Sequence, residues 1–292
     1  MPKVDHLVLP VRSLDVARGR LTALGFTVAA DASHPFGTGN ACVFIGDGTY
    51  LEPLAVLDID GYRQAIADGN MFTARDRAFR QSIGEDGFSA LALASQDAQA
   101  DHARFAGAGL PGGDMLEFSR PAKLPDGSQK LARFRLAFAG SRVGDSFSVF
   151  TCQRLNPLPS NRDALERHGN GVLALSRIVT VSPRPQEALP NLQLVLDVEG
   201  EVMATESAQL RTGNATLEVV APSAFHQNFG ANDAEAGVPL SGLTAAAVVF
   251  RVGDLAVTRA ILADNDVAFV NKGGRILVAA APGQGVVFAF EE

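Results

Sequence analysis

Tyr50-Leu51-Glu52-Pro53-Leu54 is an apolar run with one carboxylate in it, and it follows the turn Gly46-Asp47-Gly48. Its counterpart, Val4-Asp5-His6-Leu7-Val8-Leu9, is an apolar run with one imidazole near its start. Between them lie an amphipathic segment from Leu14 to Leu24, a Gly25-Phe26 break and a further apolar run, Cys42 to Ile45. Short apolar runs bounded by turns read as strands, and leucines at three- and four-residue spacing read as a helix. The order is strand, helix, then three strands, or βαβββ.

The same order recurs. In the first unit Leu14, Ala17, Leu21 and Leu24 mark the helix; Ser13 is expected to cap it and Gly25 to end it in the left-handed conformation. Residues 57–86 are mixed and charged, with Met71, Phe72, Phe79 and Ile83 forming one apolar face, as in a helical connector. A second unit opens at Phe88–Leu93, continues through a helical segment from Gln96 to Ala106, and closes with Phe147–Gln153. Inside it Asp126-Gly127 reads as a hairpin turn with a return strand from Ala132 to Phe138. A third unit starts at Ile178–Val181 and ends at Thr216–Val220; Pro183, Pro185 and Pro190 are expected to cut its helix short. Residues 222–242 read as a loop, and a fourth unit runs from Ala247–Val252 to Val286–Phe290. Val11 to Phe26 and Val252 to Val267 both span fifteen positions, each with an amphipathic run in the gap.

Four such units exclude a doubly wound parallel sheet. The expected fold is α+β, with four βαβββ modules paired into two cup-shaped domains of curved mixed sheet. The Asn-, Pro-, Arg- and Gly-rich stretch from Asn156 to Gly171 divides them into residues 1–156 and 157–292. A ligand would occupy the cup of a pair.

Composition narrows the function. The chain has 292 residues, 47% of them hydrophobic, and a net charge of −7, with no Lys/Arg-rich run to meet a nucleic acid. No apolar stretch approaches the ~20 residues that span a bilayer, and no signal-like segment precedes the first strand, so a cytoplasmic protein is expected. Cys42 and Cys152 lie inside apolar runs and read as buried free thiols. The sequence contains no glycine-rich phosphate loop, nucleophile elbow or cysteine-rich zinc pattern.

The βαβββ recurrence, with His6 in the first strand and Glu52 in the last, resembles the vicinal-oxygen-chelate superfamily. That group includes glyoxalase I, extradiol dioxygenases, and fosfomycin- and bleomycin-resistance proteins. Residues 4–155 resemble, more narrowly, the glyoxalase-like domain of many bacterial proteins. The resemblance is carried by Val4–Leu9, Phe36-Gly37-Thr38-Gly39-Asn40, Tyr50-Leu51-Glu52, Arg120-Pro121 with Leu124–Gly127, Ala132–Arg135, Phe150–Gln153 and His168–Gly171.

The resemblance implies one metal held by the first and last strands of two paired units. His6 and Glu52 match in the first unit; in the second the positions fall near Ser89 and at Gln153, whose amide oxygen is a weak ligand. The third unit offers Ser176 and Glu218, and the fourth Ala247 and Ala289. A divalent Zn, Ni, Fe or Mn on His6, Glu52 and Gln153 suits imidazole and carboxylate donors. The alternative is a metal-free cup in which His6 simply hydrogen-bonds Glu52.

Asn40, Arg120 and Phe150 are candidate substrate contacts, with His34, Arg133 and His168 nearby. On the last strand of the second unit, Phe147, Val149 and Cys152 are expected on one side and Phe150 and Gln153 on the other. Two functions follow. One is a metal-dependent lyase, isomerase or dioxygenase for a small oxygen-bearing molecule, with Glu52 as the catalytic group. The other is a metal-free protein that binds or sequesters a small ligand, favoured by 18 phenylalanines without a tryptophan. A homodimer is compatible with either.

Overall fold

A computed structural model describes residues 1–123, 128–142, 144–159, 161–204, 206–230 and 242–292. The Asp126-Gly127 turn expected in the second hairpin lies outside the described residues.

Residues 4–154 form one nine-stranded mixed sheet. Its first module comprises β1 (Val4–Pro10), α1 (Leu14–Ala23), β2 (Ala32–Ser33), β3 (Thr38–Asn40), β4 (Val43–Phe44) and β5 (Tyr50–Val56). Helices α2 (Ile59–Ala67) and α3 (Met71–Ser82) connect it to the second. There β6 (Ala90–Ser95), α4 (Ala98–Gly107), β7 (Leu116–Lys123), β8 (Gln129–Phe138) and β9 (Ser148–Arg154) repeat the plan. The strand order is β2-β3-β5-β1-β6-β9-β8-β7, with β4 on β5. First and last strands of each module pair in parallel, and the two modules join through antiparallel β1 and β6.

The second half repeats this in eight strands. It contains β10 (Val172–Val181), α5 (Pro185–Leu196), β11 (Gly200–Ala204), β12 (Ser207–Arg211), β13 (Thr216–Val220) and α6 (Pro222–Phe229). It closes with β14 (Thr244–Val252), α7 (Leu255–Asp264), β15 (Val270–Lys272), β16 (Arg275–Val278) and β17 (Val287–Glu291). Their order is β11-β12-β13-β10-β14-β17-β16-β15.

Three local expectations change. Ser13 occupies the N-cap position of α1, but its side chain makes no capping bond there; Gly25 does end the helix at φ 85°. The prolines do not shorten α5. Pro185 sits in the first turn, where a missing N–H costs nothing, and the buried stripe Ala188, Leu189, Leu192, Val195 and Leu196 carries the helix past Pro190. Part of the loop expected over 222–242 is the helix α6, while 231–241 lie outside the described residues.

Alternation along the strands sends residues to two faces. On one face, Leu7, Leu9, Leu91 and Leu93 of the first sheet share a single core with Ile178, Val248, Phe250 and Phe288 of the second. Leu21 of α1 and Leu24 at its end, Phe105 of α4, Leu192 of α5 and Leu262 of α7 belong to that core too. The opposite faces are the cups. In the second cup, Phe225 and Phe229 of α6 stack at 5.0 Å and join Val179, Val249, Leu277 and Ala289 in a filled apolar cluster. In the first cup the covering helix is α3. Arg80 anchors it by donating to the carbonyls of Leu54 (2.9 Å) and Val11 (3.2 Å), and Phe72, with the half-buried Met71 beside it, reaches the central cluster.

Candidate functional site

His6 sits where β1 is irregular. The β1–β6 register shifts between Val4 and His6, and the extra residue is Asp5. A bulge of this kind re-aims a side chain. The Asp5 carboxylate therefore lies beside His6, with 3.3 Å between its Oδ1 and the imidazole Nδ1, and takes a bidentate pair of bonds from Arg154 of β9. Burial raises the Asp5 carboxyl, but the bonds from His6 and Arg154 outweigh it and hold the group well below the usual range. An ionised Asp5 favours the proton on Nδ1 of His6 and turns Nε2 inward.

Glu52 approaches from β5. Parallel pairing sets Val8 opposite Glu52 and His6 opposite Tyr50, so the imidazole and the carboxylate are diagonal neighbours on one face. His6 Nε2 lies 3.4 Å from Glu52 Oε2. An ordinary N–H···O bond measures about 2.7–3.2 Å, so the two groups face each other across a gap. The other oxygen, Oε1, accepts from Asn40 Nδ2 at 2.6 Å and lies 3.7 Å from His34 Nε2. Both Glu52 and His6 are nearly fully buried, at 5% and 4% exposure.

The loop from His34 to Asn40 closes the group. His34 Nδ1 is 2.9 Å from Thr38 Oγ1, and its backbone N–H donates to the Thr38 carbonyl. Burial lowers the His34 pKa to about 4, against the raising effect of Glu52, so the ring is neutral near pH 7. Gly37 makes the loop possible: it lies at φ 81°, its carbonyl accepts from the amides of Leu57 and Asp58, and a Cβ would overlap Asp58 and Tyr62 backbone.

These groups open on a chamber of about 70 Å³ with aromatic walls. Tyr50 stacks on His6 at 4.6 Å, Phe150 meets it edge-on at 5.6 Å, and Phe36 stacks on His34 at 5.0 Å. Arg120, Arg154 and Arg162 line both this chamber and an open cleft of about 810 Å³ outside it. Arg120 lies over the Phe134 ring and Arg162 over Phe44. The mouth is thus cationic and the floor carries His6 and Glu52.

The structure brings His6, Glu52, Asn40, Arg120 and Phe150 to one chamber; it does not bring Gln153 there. Gln153 is on the far face of β9, where Oε1 accepts from the Ala98 amide and Nε2 donates to the Gln96 carbonyl, tying down the start of α4. Nor do Cys152 and Phe150 face opposite ways. Strand parity puts both in the cup, and Arg154 after them.

The cup-facing positions of β6 and β9 are thus Ala90, Ala92, Phe150 and Cys152, with Ser89 at the end of the strand. Burial raises the Cys152 thiol well above its ordinary range. Arg133 bonds Glu117 at 2.8 Å outside the chamber, and His168 is occupied between the Thr27 amide and the Phe44 carbonyl. In the second cup Glu218 is held by Arg177, which also pairs with Glu291. Asp5 and Arg154 had no signal in the sequence beyond their charge.

The donor chemistry at His6 and Glu52, imidazole nitrogen and carboxylate oxygen, suits a first-row divalent metal. Among the described residues no three or more His, Cys, Asp or Glu side chains are grouped so as to hold an ion by themselves.

A family model described as a glyoxalase-like domain matches residues 4–196. No curated protein sequence matches the chain. Among solved structures, a hypothetical protein from Staphylococcus aureus aligns with a TM-score of 0.69 at 12% identity, covering 100% of this chain and 99% of its own. A 4-hydroxymandelate synthase variant from Streptomyces coelicolor gives 0.61 at 17% identity, over 99% and 92% of the two chains. A Mn(II)-bound glyoxalase from Novosphingobium aromaticivorans gives 0.53 at 11% identity, over 99% and 82%. At these identities the likeness is one of fold.

Proposed function

Since the chain belongs to the glyoxalase-like domain family of the vicinal-oxygen-chelate superfamily, we propose that its first cup binds and transforms a small oxygen-bearing organic anion on His6 and Glu52, with a divalent transition metal as cofactor. The observation that carries this reading is the 3.4 Å gap between His6 Nε2 and Glu52 Oε2 at the floor of an aromatic, arginine-mouthed chamber. Two structural neighbours on the same fold are a glyoxalase with Mn(II) bound and a 4-hydroxymandelate synthase variant.

His6 and Glu52 would hold the metal, which supplies Lewis acidity to a substrate oxygen when bound. The chain's own groups do the rest. Asp5 fixes the His6 ring through Nδ1, and Arg154 keeps Asp5 charged. Asn40 occupies Glu52 Oε1, which leaves Oε2 as the oxygen that would face the metal. Arg120 and Arg162 draw an anion to the mouth, while Phe36, Phe72 and Phe150 exclude water around it.

The domain division at 156/157 belongs to the same proposal, since the described residues of 155–171 contain neither helix nor strand. The second domain then serves as a scaffold, its cup filled by α6. A metal-free binding protein is the second reading, favoured by the apolar Ala90, Ala92 and Phe150 where a second pair of ligands would stand.

Elemental analysis of protein purified without chelator or metal-affinity tag separates the two. We expect about one equivalent of a transition metal, lost in both His6→Ala and Glu52→Gln. Unchanged metal content in both variants refutes the site. Protein that arrives metal-free and takes up none of Zn, Ni, Fe or Mn leaves the metal-free reading.

A further inference from the structure

The first cup holds two spaces, one of about 470 Å³ beneath α3 and the chamber of about 70 Å³ with His6 and Glu52 on its floor. The smaller one continues outward. Arg120, Phe134, Arg154 and Arg162 line both it and the open cleft of about 810 Å³, so these four side chains form its mouth. Ligand pockets commonly measure roughly 300–1,000 Å³. The inner chamber alone therefore takes a head group, and the rest of a ligand lies at the mouth and in the cleft.

Spare charge is divided between floor and mouth. Along the mouth and cleft, Arg154 is committed to Asp5, Arg133 to Glu117, and Asp31, the carboxylate of the cleft wall, to Arg18. Arg120 and Arg162 have no carboxylate partner among the described residues. Each lies instead over a ring, Arg120 at 5.7 Å from Phe134 and Arg162 at 3.9 Å from Phe44. A ring face holds a guanidinium without consuming its N–H donors, which stay available to a ligand. Both side chains are half-buried and line the cleft. On the floor the spare charge is negative: Glu52 faces His6, Asn40 and a neutral His34, and no Lys or Arg pairs with it among the described residues. An anionic group on the floor would meet Glu52 at close range, whereas at the mouth it meets two uncompensated cations.

We propose that the ligand of the first cup is a phosphomonoester with a neutral oxygen-bearing head: Arg120 and Arg162 hold the phosphate at the mouth, and a hydroxyl or carbonyl head points to His6 and Glu52. A phosphomonoester carries a charge of about −1.5 to −2 at pH 7, which answers two unpaired guanidiniums, and its oxygens fit the planar arginine fork. A single carboxylate leaves one of the two cations unanswered. The place of the head rests on the reading of His6 and Glu52 given above; the place of the phosphate does not.

Titration calorimetry on the full chain as purified, with dihydroxyacetone phosphate, dihydroxyacetone, succinate and inorganic phosphate, tests this. Saturable one-to-one binding of the ester is expected, about tenfold or more tighter than dihydroxyacetone or succinate, and weaker as salt rises. Arg120→Met and Arg162→Met should each weaken the ester and inorganic phosphate by about tenfold or more. His6→Ala should leave inorganic phosphate unchanged and remove the advantage of the ester over it. Absence of saturable ester binding, equal affinity for ester and dihydroxyacetone, succinate as tight as the ester, or unchanged affinity in both arginine variants would each overturn the proposal. Loss of inorganic phosphate binding in His6→Ala would overturn it too, because the anion would then sit on the floor. Arginine-dependent phosphate binding in a protein where His6→Ala changes neither metal content nor ester affinity would refute the floor reading and uphold the phosphate site, so the two failures are told apart. If an arginine variant does not fold, the comparison of ester, dihydroxyacetone and succinate in the native protein still decides.

Discussion

The polar side chains on the floor of the first chamber hold one another in place. Asp5 is ionised by Arg154, His6 is oriented by Asp5, and Glu52 is clamped by Asn40. His34 is the group that pH reaches. Its pKa is about 4 in the folded chain against 6.5 unperturbed, so between those values the unfolded state binds a proton that the folded state refuses. The stabilisation is full above about 6.5 and is lost as pH falls toward 4, by up to about 3 kcal/mol. Denaturant unfolding of chelator-treated protein across that window should show the decline, and His34→Gln should flatten it; parallel curves for the two proteins would contradict this account of His34. Residue identity also explains the one misplaced ligand. Gln153 has the right chemistry for a weak oxygen donor, but it occupies the wrong parity on β9.

Among the elements, the short loop between β2 and β3 matters most to the site, because it carries His34 and leads directly into β3, which ends in Asn40. Gly37 is its pivot. Gly37→Ala forces a left-handed alanine, at about 1–2 kcal/mol, and adds a clash with the backbone of Asp58 and Tyr62. A drop in the unfolding midpoint larger than that strain alone is expected, together with loss of the Asn40–Glu52 contact and weaker metal uptake; a variant of native stability would show that the loop tolerates the shift. Helix α3 and helix α6 illustrate how one module plan gives two outcomes. Both cover a cup, but α6 seats Phe225 and Phe229 into its sheet, whereas α3 presents Phe72, Arg75, Asp76 and Phe79 and leaves two chambers.

Across the whole molecule the two sheets are not independent. Phe26, at the end of the first module's helix, packs against Phe250 at 5.3 Å, Phe288 at 6.1 Å and Phe290 at 6.3 Å, all on the second sheet. One core therefore serves both halves, and thermal unfolding should be a single transition. Phe250 is fully buried, so Phe250→Ala should cost about 3–5 kcal/mol and lower that one transition as a unit. Two resolved transitions, with only the later half affected, would mean that the halves unfold separately. Among the described residues no helix is long and apolar enough to cross a membrane.

Much of this was legible in the chain itself. The βαβββ order follows from local periodicity, and the resemblance of that order to a known superfamily is what pointed to His6 and Glu52 on the first and last strands of the first module. Asn40, Arg120 and Phe150 followed from the same strands and loops. Only the tertiary structure decided the rest. The bulge at Asp5 and the parity of β9 depend on how strands far apart in sequence register, and a shift of one residue exchanges faces. The helix through Pro190 survives because burial of its apolar stripe outweighs propensity. The space of about 470 Å³ beneath α3 exists only because α3, β6 and β9 meet, which no spacing along the chain records.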